Sequence, residues 1–473
     1  MIGEALEKAD LVVLGAGPGG YAAAFRAADL GRQVVLVDSE PRLGGVCLLR
    51  GCIPSKAMIA AAELVNRLRH AGNMGIVVGD LRLDFAQLAR WRNQIVQDLA
   101  RGVEQLCRQR GIRRLTGQGV LRSSHELFVS GSDGNVVLQF QHLIVATGSR
   151  PAMPPPFRHH DAILTSDEAL ALEHLPQDLL VVGGGYIGIE LGTCFATLGS
   201  RVTIVEVLDR LLPGVEPELV RVVHKRLSER GVRIHLQSRV TSLTCDQGRV
   251  TVHVQPHQGA TWSETYDCVL VAVGRQPRTN DIGLERAGVA VDDKGFILVD
   301  EQCRTSQKHI YAAGDCTGPP FLAHRAKHMG LVAAEVACGR VQAFEPRTIP
   351  IVVFSDPEIA CCGLSEEEAA SQGRRVHVGR FRFGGSGRAR TLDETEGLVV
   401  VVADADTGAV LGVRMVGPQV SELIAEATLA VEMGATLEDV TSTIHAHPTL
   451  AECLHEAAEA ARGMALHVYR IKR

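Results

Sequence analysis

Two cysteines five residues apart are the side chains in this sequence best suited to redox chemistry. Segment 44–56 reads GGVCLLRGCIPSK and carries Cys47, Cys52 and, four residues further on, Lys56. The spacing is neither CxxC nor a zinc pattern, and no metal site is expected. Five residues of ideal helix advance about 500°, so the two sulfurs of one continuous helix would not share a face, and a disulfide between them requires local distortion. Gly51 and Pro54 permit that distortion, and a strained bond is easier to reduce. Pro54 also favours a helix starting nearby, whose positive end stabilises a thiolate at Cys52. The bland alternative is a pair of buried free cysteines, and Lys56 taken by itself reads as a surface charge.

A second candidate lies near the other end of the chain. Among 18 histidines, His447 is set apart by Pro448, which favours extended backbone, and by Glu452. A helix starting at Thr449 would return that carboxylate to the imidazole. A histidine held by a carboxylate suits the removal of a thiol proton near neutral pH. His445 reads as its structural neighbour.

Such groups need a scaffold, and two matched segments supply one. LVVLGAGPGGYAAAFRAADLGRQVVLVD (11–38) and LLVVGGGYIGIELGTCFATLGSRVTIVE (179–206) superpose without a gap at an offset of 168. Gly15, Gly17, Gly20 and Asp38 fall on Gly183, Gly185, Gly188 and Glu206. Each segment predicts a strand, a glycine turn, a helix, a second strand and an acid. One glycine makes the turn, one lets backbone approach a pyrophosphate, and one lets helix pack on strand, while the acid can accept from ribose hydroxyls. Two such units imply two dinucleotides, or one cofactor and one dinucleotide substrate. Glu206 favours NAD over NADP, because a carboxylate repels a 2′-phosphate; Arg210 reads as a partner for Asp209 or a solvated charge. A further echo, LIVATGSRP (143–151) and VLVAVGRQP (269–277), predicts one apolar strand closing each sheet.

Composition bounds the rest. The chain has 473 residues and a net charge of -5, which suggests about three domains and argues against broad nucleic-acid binding. The acidic start MIGEALEKAD does not read as a signal peptide. The apolar run 179–198 contains Glu190, so no membrane span is expected and a cytoplasmic location is. Twelve cysteines without a secretory segment do not suggest a disulfide framework. Cys361 and Cys362 read as core packing.

Taken together, these motifs are similar to those of the pyridine nucleotide-disulfide oxidoreductases. The resemblance runs from Gly15 to about Glu459 and includes HIYAAGDC (309–316), LAHRA (322–326), IPIVVFSDPEIACCGLSEEEA (349–369) and HAHPTLAE (445–452). It implies FAD at the first unit through Gly15, Gly17, Gly20 and Asp38, with Gly45, Lys56, Thr147, Gly148, Asp315 and Ala323 nearby. It implies NAD at Gly183, Gly185, Gly188, Glu206 and Gly274. Cys52 would lie against the flavin, Cys47 would exchange with substrate, and Lys56 would pair with Glu190. His447 and Glu452 would be the acid–base pair, contributed across a homodimer.

The motif set resembles most the member of that family that oxidises protein-bound dihydrolipoamide and reduces NAD+, with lipoyl domains and the acyltransferase core of a 2-oxo acid dehydrogenase complex as partners. The alternatives are a related disulfide reductase or transhydrogenase with another acceptor, or a non-catalytic flavin-loaded subunit. LHVYRIKR at 466–473 lacks the extra thiols of some relatives. Two departures from the family pattern stand out: Val46 replaces a threonine, and Lys327 and His328 replace acidic residues, which is expected to alter the field near the flavin. The expected architecture is α/β with two Rossmann-like domains: residues 1–150 begin the FAD domain, 151–275 form the NAD domain, 276–346 complete the FAD domain, and 347–473 form an α+β dimerisation domain.

Overall fold

Unbroken apolar runs alternating with helices dictate parallel strands covered on both faces. LVVL (11–14), VVLV (34–37) and LIV (143–145) are buried throughout. They form the centre of a seven-stranded sheet in the computed structural model, which describes residues 5–131, 134–158 and 160–468. Strands Arg113–Thr116, Val34–Asp38, Ala5–Leu14 and Gly134–Val145 lie side by side in parallel. On its edge away from Ala5–Leu14 the long strand Gly134–Val145 is shared by two neighbours: its first half pairs antiparallel with Glu126–Gly131, and its last three residues pair parallel with Ile310–Ala312. A segment far along the chain therefore returns to close the first sheet. Helix Pro18–Asp29 buries glycine and alanine almost exclusively, and so approaches helix Ala323–Ala337 closely.

The second matched segment builds a second sheet. Strands Arg233–His235, Arg201–Val205, Asp178–Val182, Cys268–Val271 and Ile163–Leu164 are all parallel. An antiparallel meander, Ser238–Asp246, Arg249–Pro256 and Trp262–Tyr266, accompanies it. Both units have the expected order of strand, turn, helix, strand and acid, with Asp38 ending one strand and Glu206 following the other. The strands of the further echo lie one in each sheet. Their exits, Ser149–Pro151 and Arg275–Pro277, pair with each other as a two-stranded antiparallel ribbon where the chain crosses between the sheets.

The last part of the chain is a five-stranded antiparallel sheet, Ile351–Val353, Glu358–Gly363, Val410–Gly417, Leu398–Asp404 and Val376–Arg382. The DADTG turn joins two of these strands, as its composition predicts. Helices Val420–Met433 and Glu452–Arg462 pack on one face. Strand alternation sends Cys361 and Cys362 into two different apolar clusters, both buried, in keeping with core packing. The helical stretch Gly45–Met74 is long and apolar enough by composition to cross a bilayer. It breaks at Gly51, and its second part packs against helices Tyr186–Leu198 and Phe85–Gln109. The final residues 469–473 of the segment noted for its lack of thiols lie outside the described residues.

Candidate active site

The redox loop owes its shape to glycine. Gly45 has φ +60°, and a Cβ there would sit 2.5 Å from the Cα of Gly17, so only glycine lets the loop rest on the first fingerprint turn. From this contact rises a short helix, Gly45–Arg50, bearing Cys47. At Gly51 (φ −135°, ψ −108°) the helix stops, and a new one, Cys52–His70, begins with the second cysteine. The break resolves the problem of five-residue spacing: the thiols belong to two helices, and both face the same cleft. Both are free thiols, Cys47 half-buried and Cys52 exposed on the cleft wall.

One shared proton polarises the pair. The Cys47 hydrogen bond pulls the Cys52 thiol down to about 7, against the effect of burial and with help from the Lys56 charge. The same hydrogen bond, followed by burial, pushes Cys47 up. In its singly ionised form the reduced pair therefore holds its negative charge on Cys52 and its proton on Cys47.

Lys56 lies one turn beyond Cys52, and is not the free surface charge its sequence context suggests. Its Nζ is 2.7 Å from Glu190 Oε2 and 4.3 Å from the centre of the Phe354 ring. The other oxygen of Glu190, a residue 6% exposed, accepts the Phe354 N–H at 3.0 Å. With its carboxylate so engaged, Lys56 is fixed beside Cys52. Lys56→Gln should raise the pH midpoint of Cys52 alkylation by about one unit, since the Lys56 charge helps to lower the thiol and a neighbouring cation lowers an acid by about one to three. Iodoacetamide labelling of the reduced protein with peptide mapping reads it directly, and an unmoved midpoint would show that Lys56 does not act on the thiol.

The thiols form one wall of a cleft of about 1190 Å³, measured out to its open mouth. Gly15, Gly17, Asp38, Gly45, Thr147, Gly148, Asp315 and Ala323 also line it. Gly20 lies behind the cleft, where any Cβ would overlap the Gly15 carbonyl. Asp38 accepts the Ala16 N–H and, at 2.8 Å, the Glu40 N–H, and burial raises its carboxyl above the ordinary range. Thr147 Oγ1 is buried without a hydrogen-bond partner among the described residues. Asp315 accepts from Ser149 Oγ at 2.5 Å, and Ser149 accepts from Arg275 Nε at 2.7 Å. A glycine cradle with no room for a Cβ, a carboxylate at the strand end and an orphaned hydroxyl together fit a dinucleotide of the FAD type. Gly20→Ala is predicted to yield protein without bound flavin, checked by the visible spectrum after purification; a yellow Ala variant would contradict the packing argument.

The second unit repeats this arrangement. A Cβ at Gly183 or Gly188 would overlap the Ala272 or Gly183 carbonyl, and Glu206 accepts the Gly184 and Leu208 N–H groups at 2.5 and 2.7 Å. Gly185 caps helix Tyr186–Leu198, and Gly274 (φ +125°) precedes the ribbon. Arg210 is exposed. The start of that helix serves both units, because Tyr186, Ile187 and Glu190 line the first cleft beside Cys52.

His447 does not join them. Its Nδ1 is 2.9 Å from Glu452 Oε1, its imidazole is 79% exposed, and it is not among the lining residues of the cleft. The helix expected from Thr449 begins at Glu452; Thr449 instead donates its N–H to Glu452 Oε2 at 2.8 Å. Burial acts to raise the Glu452 carboxyl, but this N–H and the imidazole hold it below the ordinary range. His445 is held separately, 2.7 Å from Glu426. Lys327 and His328 are exposed on helix Ala323–Ala337 and do not line the cleft. Sequence reasoning missed Arg50, Ser149, Tyr186 and Arg275, which follow the recognised glycines and cysteine but match no spacing rule.

Residues 9–330 match the profile of the family described as pyridine nucleotide-disulphide oxidoreductase, and 349–458 match its dimerisation domain. The chain belongs to this family. Among the most similar relatives of this oxidoreductase are dihydrolipoyl dehydrogenase 2 of Haloarcula marismortui, 45% identical over 99% of both chains, and the dihydrolipoyl dehydrogenase of Geobacillus stearothermophilus, 41% identical over 99% of both. Among solved structures, LpdA of Mycobacterium tuberculosis is 30% identical with a TM-score of 0.89, covering 97% of this chain and 100% of that one.

Proposed function

We propose that the chain oxidises dihydrolipoamide to lipoamide with NAD+ as electron acceptor, as a flavin-dependent dihydrolipoyl dehydrogenase. One observation carries the reading: Cys47 and Cys52 stand together on the wall of a dinucleotide cleft that the second unit's helix also lines. FAD is held by Gly15, Gly17, Gly20, Asp38, Thr147 and Asp315, and NAD+ by Gly183, Gly185, Gly188 and Glu206. In domain terms, residues 1–150 and 276–346 serve FAD, 151–275 serve NAD+, and 347–473 form the contact between two copies.

The reaction uses the Cys47–Cys52 pair as a disulfide. His447 of the partner subunit, oriented by its Glu452, takes the proton of one substrate thiol, and the resulting thiolate attacks Cys47 Sγ. Cys52 leaves as a thiolate, which its lowered pKa favours. The second substrate thiol displaces Cys47 from the mixed disulfide, so that lipoamide departs and the dithiol remains. Bound FAD would supply the two-electron acceptor through which the dithiol is returned to disulfide and NAD+ is reduced. Exposure of the His447 ring supports its use across a dimer, and exposed Leu429, Met433 and Ile444 belong to the same contact region. The ten cysteines other than Cys47 and Cys52 are free thiols, which suits the reducing cytoplasm, and the lipoyl domains of a 2-oxo acid dehydrogenase complex are the substrate this reading assigns there.

The test is NADH formation by the purified yellow protein supplied with dihydrolipoamide and NAD+, with glutathione and NADP+ as comparators. Turnover confined to the first pair supports the reading. Turnover only with a comparator reassigns the substrate.

A further inference from the structure

Three arginines line the dinucleotide cleft, Arg50, Arg275 and Arg278, and two are already committed. Arg50 spans two carboxylates, Glu40 at 2.8 Å and Asp167 at 3.0 Å. Arg275 donates to the hydroxyl and carbonyl of Ser149 at 2.7 and 3.0 Å and lies 4.0 Å from Asp315.

Arg278 differs from both. Its backbone N–H is anchored on the Gly148 carbonyl at 3.0 Å, which fixes the residue beside the Thr147–Gly148 turn. Its side chain is half-buried on the cleft wall, and its guanidinium has no hydrogen-bond or ion-pair partner among the described residues. The carboxylates in its electrostatic neighbourhood, Asp167 and Glu40, are the two that Arg50 occupies. Burial, followed by repulsion from Arg50, holds its pKa below the usual guanidinium range. A half-buried cation without a counter-charge is unfavourable until an anion arrives. Its place in the cleft indicates which anion: Glu40, one of the charges it feels, lies two residues past Asp38, the carboxylate set for the ribose, so Arg278 shares the wall that faces the adenosine–diphosphate half.

We propose that Arg278 is the cation that binds the diphosphate bridge of FAD in this cleft. The proposal rests on the reading of the cleft as the FAD site. A planar fork of donors suits phosphate oxygens, and its loss removes a charge-assisted hydrogen bond.

The experiment follows FAD release from the holoprotein, measured as flavin in the filtrate over time after dilution into low and high KCl. Arg278→Gln should release FAD about tenfold faster at low salt, the scale of one charged hydrogen bond. Its release should also respond less to KCl than that of the wild type, since the screened charge is gone. Arg278→Met keeps the aliphatic stem and carries the same expectation should the Gln variant fold poorly; Arg278→Lys should restore much of the retention and the salt response. A folded Gln or Met variant releasing FAD within about twofold of wild type at low salt, with the same salt response, overturns the role of Arg278 alone. Wild-type protein that carries no FAD overturns the reading of the cleft and this role with it.

Discussion

Cys47→Ser should lower dihydrolipoamide-dependent NAD+ reduction on the order of 10³-fold or more, the loss typical of removing a covalent nucleophile or its target. A serine oxygen forms no disulfide, so the substrate thiolate has nothing to attack. The replacement is small, polar and able to donate the hydrogen bond that Cys47 now makes to Cys52, so fold and flavin content should survive. This separation makes the variant informative. Steady-state turnover with the flavin spectrum recorded alongside is the measurement; a yellow Ser variant within tenfold of wild-type activity would return Cys47 to the ranks of the packing cysteines.

His447→Gln should cost about 10² to 10⁴ in turnover, the usual range for a positioned acid–base group, and a mixed dimer should reveal which subunit supplies it. Each parent, Cys47→Ser or His447→Gln, is inactive as a homodimer. In a heterodimer of the two, one site has an intact dithiol facing an intact histidine and the other lacks both. Co-expression with two different affinity tags isolates that species, and about half of wild-type activity per dimer is expected. A dead heterodimer would mean that histidine and dithiol work within one chain. The geometry favours exchange, because His447 is 79% exposed and lies outside the lining of its own cleft.

The sequence was most informative where chemistry demands a local spacing. Both glycine fingerprints, their terminal acids and the cysteine loop could be located because turn geometry and pyrophosphate approach constrain short stretches of chain. The partnership of Lys56 with Glu190 is different in kind: 134 residues separate them, and only the packing of helix Cys52–His70 against helix Tyr186–Leu198 brings them together. Family resemblance pointed to that pair, whereas Lys56 taken alone read as a surface charge. The arginines of the cleft were silent for a related reason, since a guanidinium acquires its meaning from what surrounds it in space. At Thr449 the error was local: the residue has the composition of a helix start, but its N–H serves the Glu452 carboxylate and the helix begins three residues later.

The ribbon formed by Ser149–Pro151 and Arg275–Pro277 fixes how the second nucleotide unit is joined to the first. Pro151 stands opposite Arg275, so the outgoing and incoming chains pass through a single doorway, with Cα atoms about 5 Å apart as in any antiparallel pair. A segment whose two ends meet leaves and re-enters the host fold at one point, so the second sheet is added without altering the strand register of the first. The two nucleotide units thus keep separate sheets joined through one doorway, and the dithiol sits at the seam where the second unit's helix reaches the first unit's cleft.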